Sequence, residues 1–156
     1  MVVLEAIREA QVWEWLDSVP DPEIPVISLV DLGVVRGVSV ANGTVEVTIT
    51  PTYSGCPAMT VIALDIETAL LQHGVKKVEL KTQLSPAWTT DWLSDKGRSR
   101  LEDYGIAPPN PAGGPDRCPQ CQSTNVKRVS QFGSTPCKAQ WQCRDCLEPF
   151  DYFKCI

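Results

Sequence analysis

Seven cysteines lie in a chain of 156 residues, and six of them fall after residue 117. Four of these six form two short pairs, Cys118-Pro-Gln-Cys121 and Cys143-Arg-Asp-Cys146, with 21 residues between the pairs. A CxxC turn offers two sulfurs from one tight loop, and two such loops supply the four tetrahedral ligands of a structural zinc. The spacing therefore predicts a zinc ribbon over residues 118–156, with Cys118, Cys121, Cys143 and Cys146 as ligands. Free structural thiols are the alternative, but forty residues bury too little surface to fold without a staple. A tetrathiolate iron is chemically close to zinc and stays open at this level. Cys137 could replace a ligand or belong to a second site, and Cys155 falls one residue from the end.

The seventh cysteine, Cys56, stands alone in Thr50-Pro-Thr-Tyr-Ser-Gly-Cys56-Pro57, a segment that leaves a strand and enters a helix. Gly55 lets the backbone turn, and Pro57 suits the first helical position. A thiol at a helix N-terminus is biased toward the thiolate, the form that binds metal or attacks an electrophile. The competing reading is a buried, inert cysteine under a sheet. His73 is the chain's single histidine, beside Gly74, and is expected as a helix C-terminal cap or a solvated residue. No histidine is placed to pair with Cys56, which weakens a Cys–His hydrolase. No phosphate loop or dinucleotide fingerprint is present. Trp88 and Trp92 fit core packing best, with a protein interface as the alternative.

These residues need elements to position them. Val3, Ile7, Ala10, Trp13 and Leu16 recur at helical steps, and Asp21-Pro22-Glu23 reads as a second helix start. Val34–Val40 is β-rich, Asn42-Gly43 is a two-residue hairpin turn, and Val45, Val47 and Ile49 alternate with polar residues as a second strand. Ala58, Val61, Ile62, Ile66, Ala69 and Leu70 form a helical stripe ending near Gly74. Val78, Leu80, Thr82 and Leu84 alternate as a third strand, and residues 94–104 form one more helix. The expected fold class is α+β, a small α-β-β-α-β-α domain over residues 1–104 with a right-handed crossover. Residues 105–117, GIAPPNPAGGPDR, hold four prolines and three glycines and are expected as a linker without helix or strand. Within the tail, Val126–Gln142 has β character, with Gly133-Ser134 as the turn.

Composition narrows the function. Apolar residues make up 43% and charged residues 21%, a globular balance. No apolar run reaches the roughly 20 residues of a membrane helix, and Glu5, Glu9 and Glu14 interrupt the N-terminal apolar pattern, unlike a secretory signal. A cytoplasmic protein with reduced thiols is expected, so the paired cysteines point to metal rather than disulfides. Residues 116–156 carry six Lys/Arg against four Asp/Glu, so the remainder of a chain at −5 carries −7. An acidic body with so weakly basic a tail argues against nucleic acid as a partner.

Asp21-Pro22-Glu23, Asp31-Leu32-Gly33 and Thr52-x-x-Gly55-Cys56-Pro57 resemble the small domain of the cytosolic iron–sulfur assembly family. The stretch Ser85–Trp92, residues 105–117 and the terminal Glu148-Pro-Phe-Asp-Tyr-Phe-Lys154 resemble the PaaD family, encoded in the bacterial phenylacetyl-CoA epoxidase operon. That resemblance implies a non-enzymatic maturation factor, in aerobic phenylacetate degradation, for an iron–sulfur or diiron centre of the epoxidase complex. It implies the reductase subunit, with its 2Fe–2S cluster, as recipient, general iron–sulfur assembly proteins as further partners, and a transient cluster as cargo. The family's reactive cysteine maps onto Cys56, and its acidic motif onto Asp21 and Glu23. One thiolate is too few ligands for a cluster, so a homodimer or Cys137 would have to complete the shell. Three rival functions remain: a thiol-based redox or transferase enzyme using Cys56, a zinc-ribbon nucleic-acid module, and a structural subunit of the oxygenase.

Overall fold

A computed structural model describes residues 6–53 and 55–154. Val3, Glu5 and Cys155, each singled out in the sequence, lie outside the described residues. Contacts divide the chain into two compact units, residues 1–88 and 89–156.

The first unit is built on a three-stranded sheet of order β1-β2-β3. β1 (Val35–Ala41) and β2 (Thr44–Ile49) form an antiparallel hairpin whose register closes at Ala41↔Thr44. Its two turn residues, Asn42 at φ 51° and Gly43 at φ 79°, supply the left-handed pair that a type I′ turn requires. β3 (Lys77–Thr82) pairs parallel with β2, and α2 (Met59–Gln72) makes the connection between them. α2 stops at Gly74, whose φ of 90° is the usual left-handed helix stop. Val45, Val47 and Ile49 of β2, Ile62, Ile66 and Leu70 of α2, and Val12 and Leu16 of α1 (Glu9–Leu16) are all nearly or fully buried and form the core of this unit.

The second unit holds α3 (Asp95–Asp103), β4 (Ile106–Ala107), β5 (Val126–Ser130), β6 (Lys138–Cys143) and β7 (Pro149–Phe153), with sheet order β4-β7-β6-β5. Ser94 caps α3 by accepting the Gly97 N–H at 2.9 Å. The element order therefore agrees with α-β-β-α-β-α followed by a ribbon. β7, missed in the sequence, is an aromatic-rich run with Phe150, Tyr152 and Phe153 all buried.

Two expectations are corrected. Asp21-Pro22-Glu23 starts no helix: residues 21–24 form a turn, and Asp21 Oδ1 accepts the N–H groups of Glu23 and Ile24, each at 2.8 Å. The capping chemistry is present, but no apolar helical stripe follows it to be capped. Residues 105–117 are not devoid of strand either. Ile106 and Ala107 pair parallel with Asp151 and Tyr152 of β7, and both are buried. Proline excludes helix, yet a residue preceding proline is biased to extended backbone, which suits a strand ending at Pro108. The Asn110 N–H and carbonyl both bond the Tyr152 hydroxyl, at 3.2 and 3.3 Å, so this stretch is pinned to the ribbon.

Candidate metal centre

The first knuckle begins where the Cys118 N–H donates to the Ser123 carbonyl at 2.8 Å and the Gln122 N–H to the Cys118 carbonyl at 2.9 Å, closing a tight loop. Within it, the Gln120 N–H points at the Cys118 sulfur at 3.4 Å. The second knuckle repeats the plan. The Cys143 N–H donates to the Glu148 carbonyl at 3.0 Å, and the N–H groups of Asp145 and Cys146 both point at the Cys143 sulfur at 3.4 Å. The residue after each second cysteine is left-handed, Gln122 and Leu147 both at φ 66°. Glycine would adopt that conformation without strain, and its absence hid the pattern from the sequence.

β5 and β6 bring the knuckles together, with Val126 paired to Cys143 in register. The two loops are also tied side to side. The Arg144 N–H donates to the Asn125 carbonyl at 2.8 Å, the Ser123 hydroxyl donates to Asp145, and the Asn125 amide reaches Asp145 Oδ1 at 3.3 Å. Sequence reasoning did not single out Ser123, Asn125 and Asp145; only the meeting of two distant loops gives them their roles.

The four sulfurs of Cys118, Cys121, Cys143 and Cys146 lie within 4.8 Å of one another, with Cys118 to Cys146 at 3.7 Å and Cys121 to Cys143 at 3.5 Å. Metal–sulfur bonds of about 2.3 Å in a tetrahedron require sulfurs about 3.8 Å apart. The donor set fits a tetrathiolate metal. Its electrostatics point the same way. The Cys146 N–H is the main cause lowering the Cys143 thiol to about 7. Cys146 is pushed up to about 12: the Glu148 N–H opposes the rise, but burial and the three neighbouring thiols outweigh it. Cys121 also rises, against the pull of the Ser123 N–H, chiefly through its contact with Cys143. Four thiols this close cannot all ionise unless a cation sits among them.

Among the described residues, this is the one group of three or more His, Cys, Asp or Glu side chains close enough to hold a metal. Cys137 lies outside it. Its thiol is buried and 3.0 Å from the Thr135 hydroxyl, and its carbonyl accepts the Lys154 N–H.

The body residues are arranged differently. Cys56 is half-buried in the turn before α2, and its carbonyl accepts the Met59 N–H at 3.3 Å. α2 starts at Met59 with Ala58 as its cap, so Pro57 sits in the preceding turn rather than at the first helical position. Gly55, at φ 76°, makes the bend that places Cys56 there. Asp21 is buried and its Oδ1 holds the 21–24 turn, while Glu23 is half-buried. The Asp31-Leu32-Gly33 turn is fastened by side chains: the Asp31 N–H donates to Ser28 Oγ, whose hydroxyl donates to Asp17. The Trp88 indole N–H donates to the Leu32 carbonyl at 2.9 Å, and Trp88 is 3% exposed. Trp88 is thus core, as expected, and Trp92 sits half-buried in a single 3-10 turn. His73 does cap α2, and its exposed ring also stacks on Trp15 at 4.4 Å.

The comparisons agree with this division. The family model for the PaaD zinc β-ribbon domain matches residues 112–154, and that for iron–sulfur cluster assembly proteins matches residues 9–80. An Escherichia coli K12 protein whose name makes it a component of 1,2-phenylacetyl-CoA epoxidase is 47% identical, covering 94% of this chain and 92% of its own length. A Porphyromonas gingivalis protein named Fe-S protein maturation auxiliary factor is 37% identical, covering 60% of this chain and 90% of its own. The crystal structure of a domain of unknown function from Bacillus anthracis superposes with a TM-score of 0.57 at 28% identity, over 60% of this chain and 90% of that one.

Proposed function

The chain belongs to the PaaD family of phenylacetyl-CoA epoxidase proteins, and from that premise we propose that it is a non-enzymatic, cytoplasmic maturation factor for a metal centre of the epoxidase complex. The observation that carries the reading is the joining, in one chain, of an iron–sulfur assembly domain and a PaaD-type ribbon, matched over nearly its whole length by an epoxidase component. Cys56 is the ligand offered to iron or a cluster in transit. It is partly accessible, and it sits on the turn that leads into α2. Asp21 keeps the acidic-motif turn in shape, and the half-buried Glu23 in that turn is the second acidic residue assigned to the cargo. The cargo is substrate, not a resident cofactor. The ribbon holds one zinc, since four thiolates in a tetrahedron are the donor set of structural zinc. The recipient is the reductase subunit, with the diiron subunit second.

Serine has nearly the size of cysteine but does not ionise near neutral pH. The Cys56→Ser chain should fold, keep its ribbon metal and fail to restore growth on phenylacetate to a strain lacking the gene. The epoxidase purified from that strain should be short of iron. Full complementation by Cys56→Ser removes Cys56 from the mechanism, and a fully metallated, active epoxidase without this chain ends the maturation reading. The name of the E. coli relative favours a second reading, a permanent subunit of the oxygenase. Co-purification at fixed stoichiometry with the active enzyme distinguishes it from a transient factor.

A further inference from the structure

Two exposed surfaces stand out because each joins large apolar side chains to charge of one sign. α2 buries Ile62, Ile66 and Leu70 and turns Val61, Leu64 and Leu71 outward, at 44%, 61% and 46% exposure. With Thr68 between, they fall at steps of three, four and three residues, a single stripe along the helix. The only charges on α2 are Asp65 and Glu67, and no Lys or Arg occurs anywhere from Thr50 to Val75. The stripe begins five residues after Cys56.

The other surface is the β5 edge and the turn that follows it. Val129 is 59% and Phe132 64% exposed, and Lys127 and Arg128 flank them in the open. Lys154 Nζ lies 4.2 Å over the Phe132 ring. No acidic residue occurs from Val126 to Lys138. β5 is an edge strand, but the irregular register between Arg128 and Ser130 and its two cations block extension of the sheet by another strand. It offers side chains rather than backbone.

Contiguous exposed apolar groups of this kind mark interaction surfaces. Neither surface pairs well with itself. Two α2 stripes face to face would oppose Asp65 and Glu67 with no cation to offset them, and two β5 edges would oppose their lysines and arginines. Each is instead the charge complement of the other, and every copy of the chain carries both. We propose that the β5 turn of one copy docks on α2 of a second copy, Val129 and Phe132 packing on Val61, Leu64 and Leu71, with Lys127, Arg128 and Lys154 facing Asp65 and Glu67. Because the stripe starts beside Cys56, this contact brings a second chain to a thiol that alone cannot hold a cluster. The contact rests on the two surfaces and not on the maturation role, so its test stands whether or not that role holds.

Sedimentation of the purified full chain across the micromolar range reads it directly. The wild type should self-associate, closing as a dimer where the β5 turn of each copy docks on α2 of the other. Asp65→Lys/Glu67→Lys and Lys127→Glu/Arg128→Glu, each with wild-type metal content, should each self-associate at least about tenfold more weakly, about 1.4 kcal/mol. An equimolar mixture of the two should dimerise again, since the reversed α2 then meets a reversed β5. Leu64→Ser, which leaves every charge in place, should also weaken the dimer about tenfold. A wild type that stays monomeric, charge variants that dimerise alone, or a mixture that does not recover would each overturn the proposal.

Discussion

The two units of this chain solve the same problem with different means. The body closes over an aliphatic core, in which Val12, Leu16, Ile27, Leu29, Leu32, Ile49, Ile66 and Leu70 are almost completely buried. The ribbon's core cluster consists of Ala107, Cys118, Ala139, Cys143, Phe150 and Tyr152, with Val126 and Trp141 against it. Two of its six buried members belong to the four-thiol site. In the body, removing a side chain subtracts one contribution from many. In the ribbon, a metal at the four-thiol site would supply the charge that lets Cys118 and Cys143 ionise inside the core, and its loss would remove that charge. On the proposed metal site, one chain thus joins a unit that folds by burial to one whose folding is coupled to metal binding.

The largest expected effect comes from breaking the metal centre. Cys143→Ser should lose the ribbon metal and unfold the ribbon, because structural zinc in such small domains supplies about 10–16 kcal/mol. The body should keep its own cooperative transition. Metal analysis beside heteronuclear NMR checks both halves, and a ribbon that stays ordered without metal would erase the contrast. A smaller effect is expected from the reverse experiment. Ile66, fully buried on α2, should cost about 2–5 kcal/mol when changed to Ala, measured as the body's denaturant midpoint, while metal content stays at its wild-type value. Loss of metal in that variant would mean the units are not independent in stability. The smallest effect sharpens the comparison within the ribbon. Leu147 is 65% exposed at φ 66°, so its side chain contributes little packing while its backbone is strained. Leu147→Gly should relieve roughly 1 kcal/mol of left-handed strain against a somewhat smaller loss in unfolded-chain entropy. Slightly tighter metal retention in a chelator competition is the expected reading, and weaker retention would show that Leu147 does more than turn the chain.

Much of the architecture was legible because it is local. The Asn42-Gly43 turn, the alternation in β2 and the stripe in α2 each lie within one stretch of a few to a dozen residues, where side-chain periodicity and backbone sterics act without help from elsewhere. The two knuckles were legible for the same reason: a CxxC loop is complete in itself. Where local rules failed, a distant partner had decided. Asp21 has the chemistry of a helix cap but holds a turn. Ile106 and Ala107 sit in a proline-rich stretch but pair with Asp151 and Tyr152 of β7, far along the chain.

By itself, then, the sequence determined the helices and strands of the body, the paired CxxC knuckles and the contrast between an acidic body and a cysteine-rich tail. Tertiary structure decided what the spacing left open, the place of Cys137. Cys137 is much nearer to Cys143 along the chain than Cys121 is, yet its thiol meets Thr135 while the four others meet one another. It also decided that Val61, Leu64 and Leu71 face outward while Ile62, Ile66 and Leu70 do not. Periodicity shows that a helix has an apolar side, but only the packing of one particular sheet against it shows where that side ends. Convergence and exposure depend on groups far apart along the chain, and no local pattern encodes the distance between them.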